Sequence, residues 1–107
     1  MASAQPLVLT LLALLAGCQV QAQGPQADVQ ASLKAGDTRL IVRAGRGQTA
    51  PGIPAGEQAD AKARCGIRYL EGLGDVIRPG EQEQHTKRVL YASEYNRLML
   101  PHCKAAQ

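Results

Sequence analysis

Hydrophobic and polar positions divide the chain into three zones. Residues 7–16 are uncharged and mostly apolar, and the run stops at Gly17-Cys18-Gln19. The stretch QVQAQGPQA at 19–27 is polar and rich in glutamine, a composition with too little apolar area to build a core. From residue 28 the pattern becomes periodic. In DVQASLK, Val29, Ala31 and Leu33 alternate with polar residues, and in TRLIVRA, Leu40, Val42 and Ala44 do the same. Two alternating runs across AGDT, with Gly36 free to take positive φ, predict a β-hairpin. The competing reading is a helix over 26–35 that Gly36 ends. Residues 45–56 hold four glycines and two prolines, which predicts a loop. A helical turn follows from Glu57. The alternation of Ala63, Cys65, Ile67 and Tyr69 then predicts a strand over 63–70, with a turn-rich connection to Pro79-Gly80. A long helix is expected over 81–100. Glu81 and Glu83 suit its positive end, Glu83 and Lys87 are spaced four apart, and Val89, Ala92, Tyr95, Leu98 and Met99 lie on one flank. Pro101 should stop it. The expected fold is α+β: a small antiparallel sheet of two or three strands packed against one long C-terminal helix. The alternative is a mostly α domain with a helix at 26–35.

The first zone carries a sorting signal. An apolar run of this length closed by small residues reads as a secretory signal. Leu15-Ala16-Gly17-Cys18 resembles the lipobox of bacterial lipoproteins. That resemblance implies cleavage before Cys18 and a diacylglycerol on its thiol. It also implies anchoring in a membrane, since more than one acyl chain holds a protein stably on a bilayer. In that class an Asp after the cysteine favours retention in the inner membrane. Gln19 stands there, which points to the outer membrane and its periplasmic side. Simple secretion by cleavage near Val20-Gln21-Ala22 is the rival reading. The expected organisation is a signal peptide at 1–17, a polar tether at 18–27 and a small periplasmic domain at 28–107. The resemblance covers the sorting segment alone, and no family is recognised from Asp28 onward.

Composition sharpens the picture of the domain. The 107-residue chain has no Phe or Trp and only three Tyr, so its core must be thin. With Cys18 lipidated, Cys65 and Cys103 remain, and in an oxidising compartment they have one intramolecular pairing. The net charge of +3 is too small to imply nucleic acid, which is not expected as a partner.

Catalytic chemistry finds little support. Gly45-Arg46-Gly47-Gln48-Thr49-Ala50 matches a dinucleotide fingerprint, but Pro51-Gly52 follows where a helix should begin. Gly72-Leu73-Gly74-Asp75 reads as a turn, with Asp75 bonding within it. His85 and His102 lack partners spaced for catalysis or metal binding, and there is no C-x-x-C. No enzyme activity, cofactor or metal is expected. The arginines are more suggestive. Arg39 and Arg43 on one alternating run, and Arg64 and Arg68 on the other, would form a basic face turned away from the helix, suited to an anionic envelope component. The expected function is therefore binding or accessory work at the envelope. The alternative is inhibition of a secreted hydrolase such as lysozyme, with GRGQTAPGIP or GLGDVIRPG as the inserted loop.

Overall fold

The structure, a computed structural model, describes residues 24–105. The signal segment, Cys18 and residues 19–23 of the expected tether lie outside the described residues. Among those described are three α-helices and one two-stranded sheet: α1 (Pro25–Lys34), β1 (Leu40–Ala44), a 3₁₀ turn (Ala55–Glu57), α2 (Gln58–Cys65), β2 (Ile67–Gly74) and α3 (Gln82–Ala105).

The expected hairpin does not form, because residues 25–34 are helical. Pro25 sits at the first helical positions, Asp28 in the first turn and Lys34 in the last, each where a helix favours it. Gly36, with φ of 78°, closes a Schellman motif. Its N–H donates to the Leu33 carbonyl at 3.0 Å, and the Asp37 N–H donates to that of Ser32 at 2.9 Å. The alternation that suggested a strand is an accident of spacing. Val29 and Leu33 are also four apart, and they turn to the core while Ala31 is exposed. The first three residues of α1 fall within the stretch expected to be tether.

With α1 helical, β1 pairs with β2, and the pairing is parallel rather than antiparallel. Parallel neighbours need a crossover, which residues 45–66 supply through a loop, the 3₁₀ turn and α2. The strand expected over 63–70 therefore begins later. Ala63 and Cys65 belong to α2, and Gly66, with φ of 86°, ends that helix before Ile67 opens β2. At the other end the strand reaches Gly74, into residues expected to be turn. Leu40, Ile41 and Val42 are all fully buried, the unbroken apolar run of a strand covered on both faces.

α3 runs beside this pair and joins everything. Val29, Ala92, Tyr95 and Met99 meet the β1 residues in one core, which extends to Ala61 and Leu73. The Asn96 side chain, fully buried, takes the place of a strand along the free edge of β1. Its Oδ1 accepts from Ile41 N–H, and its Nδ2 donates to the carbonyls of Ile41 and Pro51, all at 2.8 Å. Gln58 holds the crossover loop in the same way, accepting from Ala50 N–H and donating to the carbonyls of Ala50 and Ile53. Pro101 does not stop α3, which continues to Ala105. That last turn is held from outside the helix: Cys103 is buried and disulfide-bonded to Cys65 at the end of α2, with Cα atoms 5.3 Å apart. The expected pairing is present, but it links two helices rather than a helix and a strand.

Candidate functional site

The four arginines do not share the outward face expected of them. Arg64 lies on α2, not on a strand, and bonds to Asp60 one turn earlier through Nε. Arg39 precedes β1 and is held by the Asp37 carboxylate through Nε and a terminal nitrogen, each at 3.0 Å. Those bonds hold the Asp37 carboxyl well below the usual range, at about 2. Arg68 pairs in register with Ile41, which places it on the same side of the sheet as Arg43. It turns toward α3 instead of away from it, with its guanidinium 5.0 Å from the centre of the Tyr95 ring. Around it, α1 and α3 are tied by Ser32 and Tyr95 (2.7 Å) and by the Tyr91 hydroxyl, which donates to Asp28. Burial, with that hydrogen bond, pushes the Tyr91 hydroxyl up from its ordinary value. These residues bind the elements together.

A different place has the shape of a site. Val42 pairs with Tyr69, but the next paired residues are Ala44 and Gly74. One residue of β1 therefore faces four of β2, and Leu70, Glu71, Gly72 and Leu73 bulge from the ladder. Gly72, with φ of 85°, makes the excursion without strain. Both ends of the bulge are fixed. The buried His85 donates through Nε2 to the Gly74 carbonyl at 3.3 Å, and the Asp75 carboxylate lies against Gly45, where a Cβ would stand 2.0 Å from Oδ2. Tyr69 takes a hydrogen bond from Gln48 at the near end.

The bulge walls a groove of about 730 Å³ against the start of α3. Tyr69, Leu70, Leu73 and Val76 give it apolar walls, and Arg78 and Arg88 bring positive charge. Arg88 is half-buried and lies over the bare Gly72 backbone. A Cβ there would stand 2.8 Å from its Cζ and Nε. Glu71 and Glu81 also line the groove, yet among the described residues neither forms an ion pair with Arg78 or Arg88. Bulges of this kind re-aim side chains beside binding sites. Sequence reasoning took GLGD for a turn and missed this groove. The available signal was the break in alternation at Glu71-Gly72, followed by Val76-Ile77 with no polar residue between them.

His102 is exposed at the far end of α3, where it lines a smaller recess with Gln26, Val29, Gln30 and Leu98. Among the described residues no three His, Cys, Asp or Glu side chains are grouped to hold a metal, and no helix is long and apolar enough to cross a membrane. Comparison of the chain with protein-family models, with curated proteins and with solved structures finds no match.

Proposed function

We propose that the protein is a small envelope lipoprotein, anchored through Cys18 at the periplasmic face of the outer membrane. It acts as a non-catalytic binding or accessory module, and its working surface is the groove at the β2 bulge. The observation that carries this reading is the half-buried Arg88 guanidinium, seated on Gly72 with no acceptor among the described residues. Guanidinium groups are strong partners for carboxylate and phosphate. The basic contact earlier expected of Arg39, Arg43, Arg64 and Arg68 is thereby assigned to Arg78 and Arg88.

The anchor and the surface are tested separately. A fatty-acid probe fed to cells should label the protein, and Cys18→Ser should remove the label; labelling that survives the substitution sinks the anchor. A photo-crosslinking residue at Val76, which is 82% exposed beside the groove, should trap an envelope component in intact cells. Reversing Arg88 to Glu should abolish that product. Trapping that is indifferent to Arg88 would move the working surface elsewhere.

Hydrolase inhibition is favoured by one observation only, the exposed apolar pair Val76 and Ile77 between β2 and α3. The other candidate loop is fastened down, with Ala50 and Ile53 buried and Gly52 against α3. If the protein is a lysozyme inhibitor, Val76→Asp should release the enzyme while loop 45–54 tolerates exposed substitutions.

A further inference from the structure

We infer that the ligand of this groove is a short peptide with a free carboxylate and a free ammonium group, bound extended along the bulge. The inference rests on the reading that the groove is the working surface, and it adds what occupies it.

The lining argues for both signs of charge in one ligand. Arg78 and Arg88 stand in the groove without a carboxylate partner, and Glu71 and Glu81 stand there without a cation. A purely anionic ligand would meet the two glutamates as like charges, and a purely cationic one would meet the arginines. A zwitterion gives each sign a partner, with its carboxylate on the guanidinium of Arg88 and its ammonium toward Glu71 or Glu81. Between the charged positions, Leu70, Leu73 and Val76 offer contact for an aliphatic side chain.

The backbone argues for a peptide in particular. In a parallel ladder, residues that bond to the neighbouring strand alternate with residues whose N–H and C=O point away. Leu40 N–H bonds to the Gly66 carbonyl at 2.8 Å. Gly66 and Arg68 therefore face β1, and Ile67 and Tyr69 direct their backbone groups outward. The free edge of β1 is closed by Asn96 and by the Thr49 carbonyl, which accepts from Arg43 N–H at 2.9 Å. The outer edge of β2 has no such partner among the described residues. An extended peptide can add there by main-chain hydrogen bonds, with side-chain pockets supplying selectivity. The bulge limits the straight edge to a few residues, which favours a short ligand over a full strand.

The position of the groove argues for a water-borne ligand over a lipid. Gln26, near the start of α1, lies by Leu98 and His102 of α3. Arg88 is ten residues earlier on that helix, roughly 15 Å along its axis. A chain anchored ahead of α1 thus holds the groove away from the anchored end.

The test uses the full chain and isothermal titration calorimetry, with Ala-Leu-Ala as probe in three forms: free, C-amidated and N-acetylated. The free peptide should bind. Amidation and acetylation should each weaken binding at least tenfold. Arg88→Gln should erase the difference between free and amidated peptide, and Glu81→Gln with Glu71→Gln should erase the difference between free and acetylated. The peptide comparison on the unaltered protein stands even if a variant folds poorly. Absence of binding at millimolar peptide, or equal binding of all three forms, would overturn the inference. If Val76 crosslinking still traps an Arg88-dependent partner in that event, the groove keeps its role and only the class of ligand is wrong.

Discussion

At the scale of single residues, the most consequential side chain is one that no periodicity marks. Asn96 makes three hydrogen bonds through its amide to the backbone of β1 and of Pro51. A buried polar group left without its partner costs about 1–3 kcal/mol. Asn96→Ala strands three such groups, so a loss of about 3 kcal/mol or more is expected from urea unfolding. Asn96→Leu, similar in size, should rescue little. A loss under about 1 kcal/mol would mean that water replaces the amide. Asp37 gives a pH-dependent case. Its carboxyl is lowered from 3.8 to about 2 by the hydrogen bonds from Arg39. A lowered carboxyl stabilises the fold fully above its unfolded value and ceases to do so as pH falls through the folded value. The pair is partly exposed, at 52% for Arg39 and 25% for Asp37, so solvent screening keeps the effect small. The gap in melting temperature between the native chain and Asp37→Asn should be open at pH 6 and close as pH falls from about 4 to about 2. A gap that is constant across this range would assign the role of Asp37 to packing.

At the scale of elements, what could be read from the chain depended on whether a signal was local. The C-terminal helix was legible from its charges and its apolar flank, and so was most of the loop expected over 45–56, whose last two residues open the 3₁₀ turn. The stretch 25–34 was ambiguous because seven residues with apolar positions two apart also place two of them four apart. Strand direction was not legible: nothing in TRLIVRA states whether its neighbour is the preceding segment or one that returns through a crossover. The helix boundary at 65–67 was hidden because the alternation ran through it by chance. Pro101 misled for another reason, since its local preference is overruled by the Cys65–Cys103 bond two residues on. The disulfide was legible by counting, and the groove was not, because it arises where two strands lose register. Packing between elements also fixes single residues. Gly52 has φ of 86°, and a Cβ there would meet the Ser93 carbonyl oxygen at 2.5 Å and Cα at 2.9 Å. Both contacts are backbone, so neither can swing aside. Positive φ alone costs a non-glycine residue roughly 1–2 kcal/mol, so Gly52→Ala should lose at least that much in thermal unfolding. At Gly36, where an added Cβ meets nothing, alanine should show the cost of φ alone. Equal losses at the two positions would mean that the loop relaxes away from α3.

At the scale of the molecule, stability rests on a thin core and one covalent link. The described core contains a single large aromatic, Tyr95, with small residues such as Ala50, Ala61 and Ala92 around it. The disulfide closes a loop with a sequence separation of 38. Chain entropy for a loop of that size is worth about 4 kcal/mol, a large share of what a small domain has. Reduction, or the double substitution Cys65→Ala with Cys103→Ala, should lower unfolding free energy by roughly 2–5 kcal/mol. Reduced protein that melts with the oxidised form would show that the core suffices without the link. The start of α1 has a consequence of a different sort. Cys18 stands six positions before Gly24, and a fully extended chain spans at most about 3.5 Å per residue, so a lipid on Cys18 can lie no more than roughly 20 Å from the first turn of the domain. On the proposed anchor this is a short leash. The protein patrols a thin shell above the bilayer, and anything it meets must itself come within a few nanometres of the membrane. Lengthening the tether with a glycine-serine insert before Pro25 would let it sample a deeper layer, and crosslinked partners lost or gained with insert length would map the depth at which it works.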